Sequence, residues 1–242
     1  MPPNDNTLDT PLSIETVEAL RKTSTATLTN QLFKRELRNA FLKGPLPHNY
    51  RGNRMVGEAY TMRCIPSRED LDPLSVFNDY DHPQRTGVEN VIPGQILVID
   101  ARGQASAASL GHILATRLQL RGAAGIVTDG AIRDSADFLN LDLPTFTAGV
   151  SPVTNLGKHH VVESQVPIGC GEVPIYPGDV LVGDGDGVVC IPRKIVDEVA
   201  QDGLEQEQLE GFILRKIKSG RPLRNTYPPS EKLLTEFKET RA

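Results

Sequence analysis

The sequence predicts a layered domain of the α/β or α+β class. Three observations carry that prediction. Short apolar runs of strand length, QILVID at 95–100 and AAGIVT at 123–128, flank a helical stretch, GHILATRLQL at 111–120. Helical periodicity returns near both ends of the chain. Turn residues (Pro93-Gly94, Pro177-Gly178-Asp179, Asp184-Gly185) separate the runs.

Taken in order, residues 1–12 are polar and Pro-rich and read as a loose arm. Ser13 is placed to cap a helix through Lys22, with Ile14, Val17, Ala19 and Leu20 as its apolar residues. Ser24 or Thr25 is placed to cap a second helix, TATLTNQLFKREL, with Leu28, Leu32 and Phe33 at helical spacing. Residues 43–54 read as a loop and Met55–Cys64 as a strand. Residues 66–90 read as an acidic loop that shapes a pocket. Asp70, Asp72, Asp79, Asp81 and His82 lie there without the Gly turn and closing Glu of a calcium loop.

Gln95–Asp100 reads as a strand and 111–120 as the central helix, with Leu114, Leu118 and Leu120 as its apolar face. Gly122 and Gly125 end it. A buried strand, Ala123–Thr128, follows, and a glycine turn through Asp129-Gly130 then leads to Arg133 and Asp134. Strands are expected at 144–148, near 158–163 and near 168–173. Residues 180–192 read as a hairpin with Asp-Gly turn chemistry, and 194–218 as a helix weakened by Gly203 and Gly211. A Pro-Pro break and a short amphipathic end close the chain. There is no internal repeat.

Composition narrows the function. At 38% hydrophobic and 24% charged, the 242-residue chain reads as globular, and no apolar run approaches a membrane span. A net charge of −5 and 5% aromatics argue against nucleic-acid binding through a basic face or a stacking platform. Cys64, Cys170 and Cys190, odd in number and widely spaced, read as buried thiols of a reducing, cytoplasmic compartment. The N-terminal stretch has no basic region and no apolar core of a signal peptide.

The chemistry concentrates in Gly111–Asp134. A helix N-terminus at Gly111-His112-Ile113-Leu114 offers free backbone N–H groups and a positive dipole end to an anion. Arg133 offers a rigid fork for a carboxylate, and Asp134 offers oxygen to a hard cation. Asp137, three residues on, shares a face with Asp134 if that turn is helical. His159-His160 on a strand would point to opposite faces and make no joint metal site. GDGDG at 183–187 lacks the Lys-Ser/Thr ending of a phosphate-binding P-loop and reads as a turn.

These segments resemble the RraA-like family, which joins regulators of ribonuclease activity with 4-hydroxy-4-methyl-2-oxoglutarate aldolases. The likeness lies in Gly111 followed by GAAGIVTDGAIRD at 122–134, in IGCG at 168–171 with Tyr176-Pro177-Gly178-Asp179, and in GDGDGVVCIP at 183–192. It spans about residues 14–215 of what reads as one domain over 1–242. The resemblance implies an α/β fold, a swivelling β/β/α-type layered sandwich assembled as a homotrimer or hexamer. It also implies a Mg²⁺- or Mn²⁺-dependent lyase that cleaves 2-oxo acids to pyruvate, as an aldolase, an oxaloacetate decarboxylase or both.

In that picture Arg133 clamps the pyruvate unit, Asp134 binds the metal, and Asp137 matches an additional acid of the aldolase branch. The backbone of Gly111, His112, Ile113 and Leu114 holds the carboxylate. Family enzymes usually carry Asp after the glycine, where this chain has His112. That departure keeps two alternatives open: a non-enzymatic regulator that binds a ribonuclease or other protein, and a sugar-acid dehydratase on the same scaffold. An acid from a neighbouring subunit, with Glu205–Glu210 as one source, would complete the site.

Overall fold

The computed structural model describes residues 11–240; the polar arm expected over 1–12 lies almost wholly outside them. Strands β1 (Leu46–Pro47), β2 (Met55–Pro66), β3 (Gln95–Asp100), β4 (Ala108–Leu110), β5 (Gly125–Ile132), β6 (Thr145–Val150), β7 (His159–Ser164), β10 (Val180–Asp184) and β11 (Gly187–Ile191) form one mixed sheet. Its main order is β1-β6-β5-β3-β2-β10-β11, with β4 on β5 and β7 on β2. β8 (Ile168–Cys170) and β9 (Val173–Ile175) form a separate ribbon. The helices are α1 (Ile14–Lys22), α2 (Thr25–Lys34), α3 (Pro83–Asn90), α4 (His112–Leu120), α5 (Ser135–Phe138), α6 (Val196–Lys218) and α7 (Glu231–Glu239).

Strand periodicity sorts the core into layers. Ile96 and Val98 of β3, with Met55, Val127, Leu181 and Val188, face the β8–β9 ribbon. Leu97 and Ile99, with Met62, Ile126 and Ile132, face the other way onto Val88 of α3 and Ala115 and Leu118 of α4. At the β10–β11 end that second face meets Leu20, Leu28, Leu32, Val196 and Val199 from α1, α2 and α6. Ribbon, sheet and helices make the β/β/α sandwich. Each fully buried Leu or Val contributes about 1.5–3 kcal/mol.

Caps fall where the sequence places them. The Ser13 hydroxyl accepts from Thr16 N at 3.0 Å and that of Ser24 from Thr27 N at 3.1 Å. Asp184 does more than turn a hairpin. It is buried, takes the N–H and hydroxyl of Thr25 at 2.9 and 2.7 Å and the N–H of Asp186 at 3.0 Å, and so ties the hairpin to the start of α2. Gly203 lets α6 close on α1, since a Cβ there would lie 2.8 Å from the Thr23 methyl.

Several expectations change. Asp129-Gly130 is not a turn but part of β5, which runs unbroken to Ile132 through a bulge against β6. The expected strand near 168–173 is a hairpin, because Gly171 and Glu172 both adopt positive φ. Residues 66–90 contain α3, begun by Pro83 at a first-turn position and by His82, whose Nδ1 accepts from Gln84 N. Asp72 is buried and pairs with His160, so that segment is not a fully solvated loop. Leu120 and Phe33 are exposed, because α4 and α2 each present only one face to the sheet. His159 and His160 do face opposite ways: His159 is fully buried, while His160 meets Asp72 and lies edge-on to His82. The C-terminal amphipathic end is α7, seated on α6 through Phe212, Ile213, Leu233 and Phe237. Among the described residues no helix is long and apolar enough to cross a membrane.

Candidate active site

The parallel strands β6, β5, β3 and β2 run in one direction, and the chain leaves β5 at Ile132 beside the end of β4 at Leu110. Carboxyl ends of parallel strands are where ligands meet an open α/β sheet. The sequence from β4 turns at once into α4, and the sequence from β5 turns at once into Arg133 and Asp134. The helix start and the two side chains therefore share one corner because their strands are neighbours.

Asp134 sits in the left-handed region at φ 57°, a conformation that Asp tolerates better than most residues. Its Oδ2 accepts the N–H of His112 at 3.2 Å and lies 3.6 Å from Arg133 Nε. Ile113 and Leu114, in the first turn, have no acceptor further back in the helix for their N–H groups. Gly111 leaves these two side chains their room: a Cβ there would lie 2.7 Å from Asp134 Oδ2 and 2.8 Å from Arg133 Nε and would make them shift. Both side chains are partly open to solvent, with 44% and 40% of their area exposed.

A cavity of about 160 Å³ opens on this corner. It is lined by Gly111, Ile113, Leu114, Arg133 and Asp134, which the sequence analysis singles out, and also by Phe77, Gln84 and Arg85 from the 66–90 segment and by Thr154 and Asn155. The space accommodates a small acid and is open to solvent on one side. The His112 ring is not part of the wall, and neither is Asp137. Asp137 sits in α5, where its N–H bonds to the Asp134 carbonyl at 2.9 Å while the residue itself is exposed. Gln84, held through Nε2 to the Ser109 carbonyl at 2.6 Å, and Arg85 had one signal in the sequence, the Pro83 helix start. Thr154 and Asn155 had none, since they follow β6 by chain position but reach the cavity through the fold.

The other tempting residues are structural. Asp129 is buried and accepts from the N–H groups of Ala101, Gly103 and Gly171 at 2.7, 2.9 and 3.3 Å. Burial raises its carboxyl above the usual range in spite of those bonds. Burial likewise pushes the Cys64 thiol up to about 12, and those of Cys170 and Cys190 well above the ordinary value. Among the described residues no group of three or more His, Cys, Asp or Glu side chains is arranged to hold a metal.

A three-layer sandwich with a small charged cavity at the ends of its parallel strands defines an α/β protein of the β/β/α sandwich class. The chain belongs to the RraA-like family (Aldolase/RraA), whose sequence profile matches residues 25–190. A Halalkalibacterium halodurans protein, provisionally named 4-hydroxy-4-methyl-2-oxoglutarate aldolase, is 39% identical over 67% of this chain and 70% of its own length. The crystal structure of Streptomyces coelicolor RraAS2, described as an unusual member of the RNase ES inhibitor RraA family, superposes with a TM-score of 0.74. It is 31% identical, covering 84% of this chain and 97% of that one. An uncharacterised Pseudomonas syringae protein superposes at 0.77, with 25% identity over 90% of this chain and 99% of its own. The family and the β/β/α fold read from the sequence are therefore those of the protein.

Proposed function

We propose that this protein is a divalent-metal-dependent lyase that releases pyruvate from 2-oxo acids, by aldol cleavage of a 4-hydroxy-4-methyl-2-oxoglutarate type of substrate, by decarboxylation of oxaloacetate, or by both. The observation that carries the reading is the meeting of Arg133, Asp134 and the α4 N-terminus in the wall of one small cavity. The aldolase name of the H. halodurans relative supports it.

The donor set suits Mg²⁺ or Mn²⁺. Such ions keep several waters and take one or two carboxylates together with substrate oxygens, so the partly exposed Asp134 carboxylate and a chelating 2-oxo acid suffice. A structural zinc site would need three or four protein ligands, which this corner does not provide. When bound, the cation supplies Lewis-acid stabilisation of charge on the ketone oxygen.

The residues of the chain account for the remaining steps. The Ile113 and Leu114 N–H groups and the positive end of α4 hold the substrate carboxylate. Arg133 presents its guanidinium to the oxygen that becomes negative. As the C4 hydroxyl loses its proton and becomes the carbonyl of one pyruvate, the C3–C4 bond breaks and leaves its electron pair on C3 as the enolate of a second pyruvate, which then takes a proton. Loss of carbon dioxide from oxaloacetate leaves the same enolate, so one site serves both reactions. The proposed assembly is a homotrimer or hexamer, with an acid of the adjoining subunit completing the site.

The test is a coupled assay of pyruvate release from 4-hydroxy-4-methyl-2-oxoglutarate and from oxaloacetate, with Mg²⁺ or Mn²⁺ and with EDTA. The reading expects release that stops in EDTA and in Asp134→Ala. Turnover unaffected by EDTA, or no release from either substrate, overturns it.

The likeness to RraAS2, described within a family of ribonuclease inhibitors, and the placement of the His112 ring outside the cavity wall favour one second reading, a non-enzymatic regulator. It expects no turnover at any metal concentration and a stable complex with a ribonuclease E-type enzyme on gel filtration. A sugar-acid dehydratase would share the metal and 2-oxo acid geometry and is separated by substrate profiling.

A further inference from the structure

The cavity that holds Arg133 and Asp134 carries a second set of polar groups that the chemistry above leaves unused. Arg85 lines it from the first turn of α3. Its Nη2 donates to the Phe77 carbonyl at 2.6 Å, and its guanidinium carbon lies 5.8 Å from the centre of the Phe77 ring. No carboxylate pairs with it among the described residues. A cation in the first turn of a helix stands against the helix dipole, which favours anions there. Such a local conflict is resolved when an anion binds, because guanidinium and dipole then attract the same ligand.

Asn155 is in the same wall and is 6% exposed. Its Oδ1 accepts from Thr154 Oγ1 at 3.1 Å, and its Nδ2 is buried without a partner. A buried amide donor with no acceptor is a cost that a bound oxygen removes once the Asn155 amide turns toward the cavity. Arg85 and Arg133 set against Asp134 leave the wall with a net positive charge before any metal is added.

We infer that Arg85 and Asn155 form a subsite for the far carboxylate of the substrate, so that the cavity selects small 2-oxo acids with a second carboxylate over those that end in a methyl group. The inference rests on the 2-oxo acid reading of the Arg133–Asp134 corner. Arg85 supplies charge and a planar fork, and Asn155 supplies an N–H donor. The 160 Å³ of the cavity accommodates a short chain between the two anionic ends.

The experiment is calorimetric titration of the full-length protein in Mg²⁺ with 2-oxoglutarate and with 2-oxopentanoate. Both have five carbons, neither has a 4-hydroxyl to be cleaved, and they differ in a terminal carboxylate against a methyl. The subsite predicts that 2-oxoglutarate binds at least ~10-fold tighter. The ratio should fall to about one in Arg85→Gln and several-fold in Asn155→Ala, with melting temperatures read alongside. Equal binding of the two acids, binding of neither, or a ratio unchanged in the folded variants overturns it. Should Arg85→Gln not fold, Asn155→Ala carries the test. The two proposals fail separately. Arg85-dependent preference without pyruvate release removes the lyase and leaves the subsite, whereas release without preference removes the subsite alone.

Discussion

Asp134 Oδ2 accepts the backbone N–H of His112 at 3.2 Å, so the carboxylate proposed to hold the metal also caps helix α4 across the site. Gly111, at the cap position, has no side chain for that task. Asp134→Ala should therefore lower stability by about 0.5–2 kcal/mol and turnover by at least ~100-fold. Asp134→Asn keeps an acceptor and tolerates φ 57°. It should melt within a few degrees of wild type yet lose the same turnover. Melts paired with the pyruvate assay separate the two roles, and an Asn variant as active as wild type would remove the need for charge.

Gly111→Ala places a methyl 2.7 Å from Asp134 Oδ2 and 2.8 Å from Arg133 Nε, so both side chains must move. Displacements near 1 Å at a reacting centre cost about 100-fold in rate. The expected result is a folded protein with kcat/KM reduced about that much, and full activity would place the chemistry elsewhere.

Asp184→Ala is the control outside the cavity. The buried carboxylate loses three hydrogen bonds, two of them to the start of α2. Bonds to a charged group contribute about 1.5–3 kcal/mol each and do not add fully. A loss of about 2–4 kcal/mol by urea unfolding is expected. A midpoint like that of wild type would show that α2 and the hairpin are not coupled.

The three thiols should be inert in the native protein. Burial first, and then the Asp100 and Asp129 charges, push Cys64 to about 12, and burial also raises Cys170 and Cys190. At pH 8 a disulfide reagent should label none until denaturant is added, and three afterwards. Rapid native labelling would mean that the sheet opens.

His159 is one source of pH dependence. Burial, helped by the Arg102 charge, lowers its pKa from 6.5 to about 4, and neither ring nitrogen has a partner. Because the folded value is depressed, the unfolded chain binds the extra proton between about pH 6.5 and 4. Stability from this group is present above pH 6.5 and falls as pH drops through that window, by at most about 1.4 kcal/mol per pH unit. Urea midpoints of wild type and His159→Phe across the window should differ in slope. Parallel slopes would remove His159 from the acid sensitivity.

The layers and most strands were legible because they rest on local rules. Ile96-Leu97-Val98-Ile99 is an unbroken apolar run, and Ser13 and Ser24 are ordinary caps. Asp129-Gly130 misled, because residues that make turns in isolation sit within β5 once three backbone N–H groups from other segments bind the carboxylate. Half of the cavity could be read from Gly111–Asp134. The other half, Phe77, Gln84, Arg85, Thr154 and Asn155, comes from two distant segments that only the sheet order brings together. No spacing rule reaches across that distance.

β2 has one further consequence. Its first half pairs with β10 through Met55–Glu58 and its second half with β7 through Met62–Pro66, so one edge of the strand takes two later segments. On the ribosome that edge stays open until about 115 more residues have been made to reach Val180. At 5–20 residues per second this is roughly ten seconds of exposed strand edge. The nascent chain is thus open to chaperones, or to mispairing with another chain, until β10 has been made.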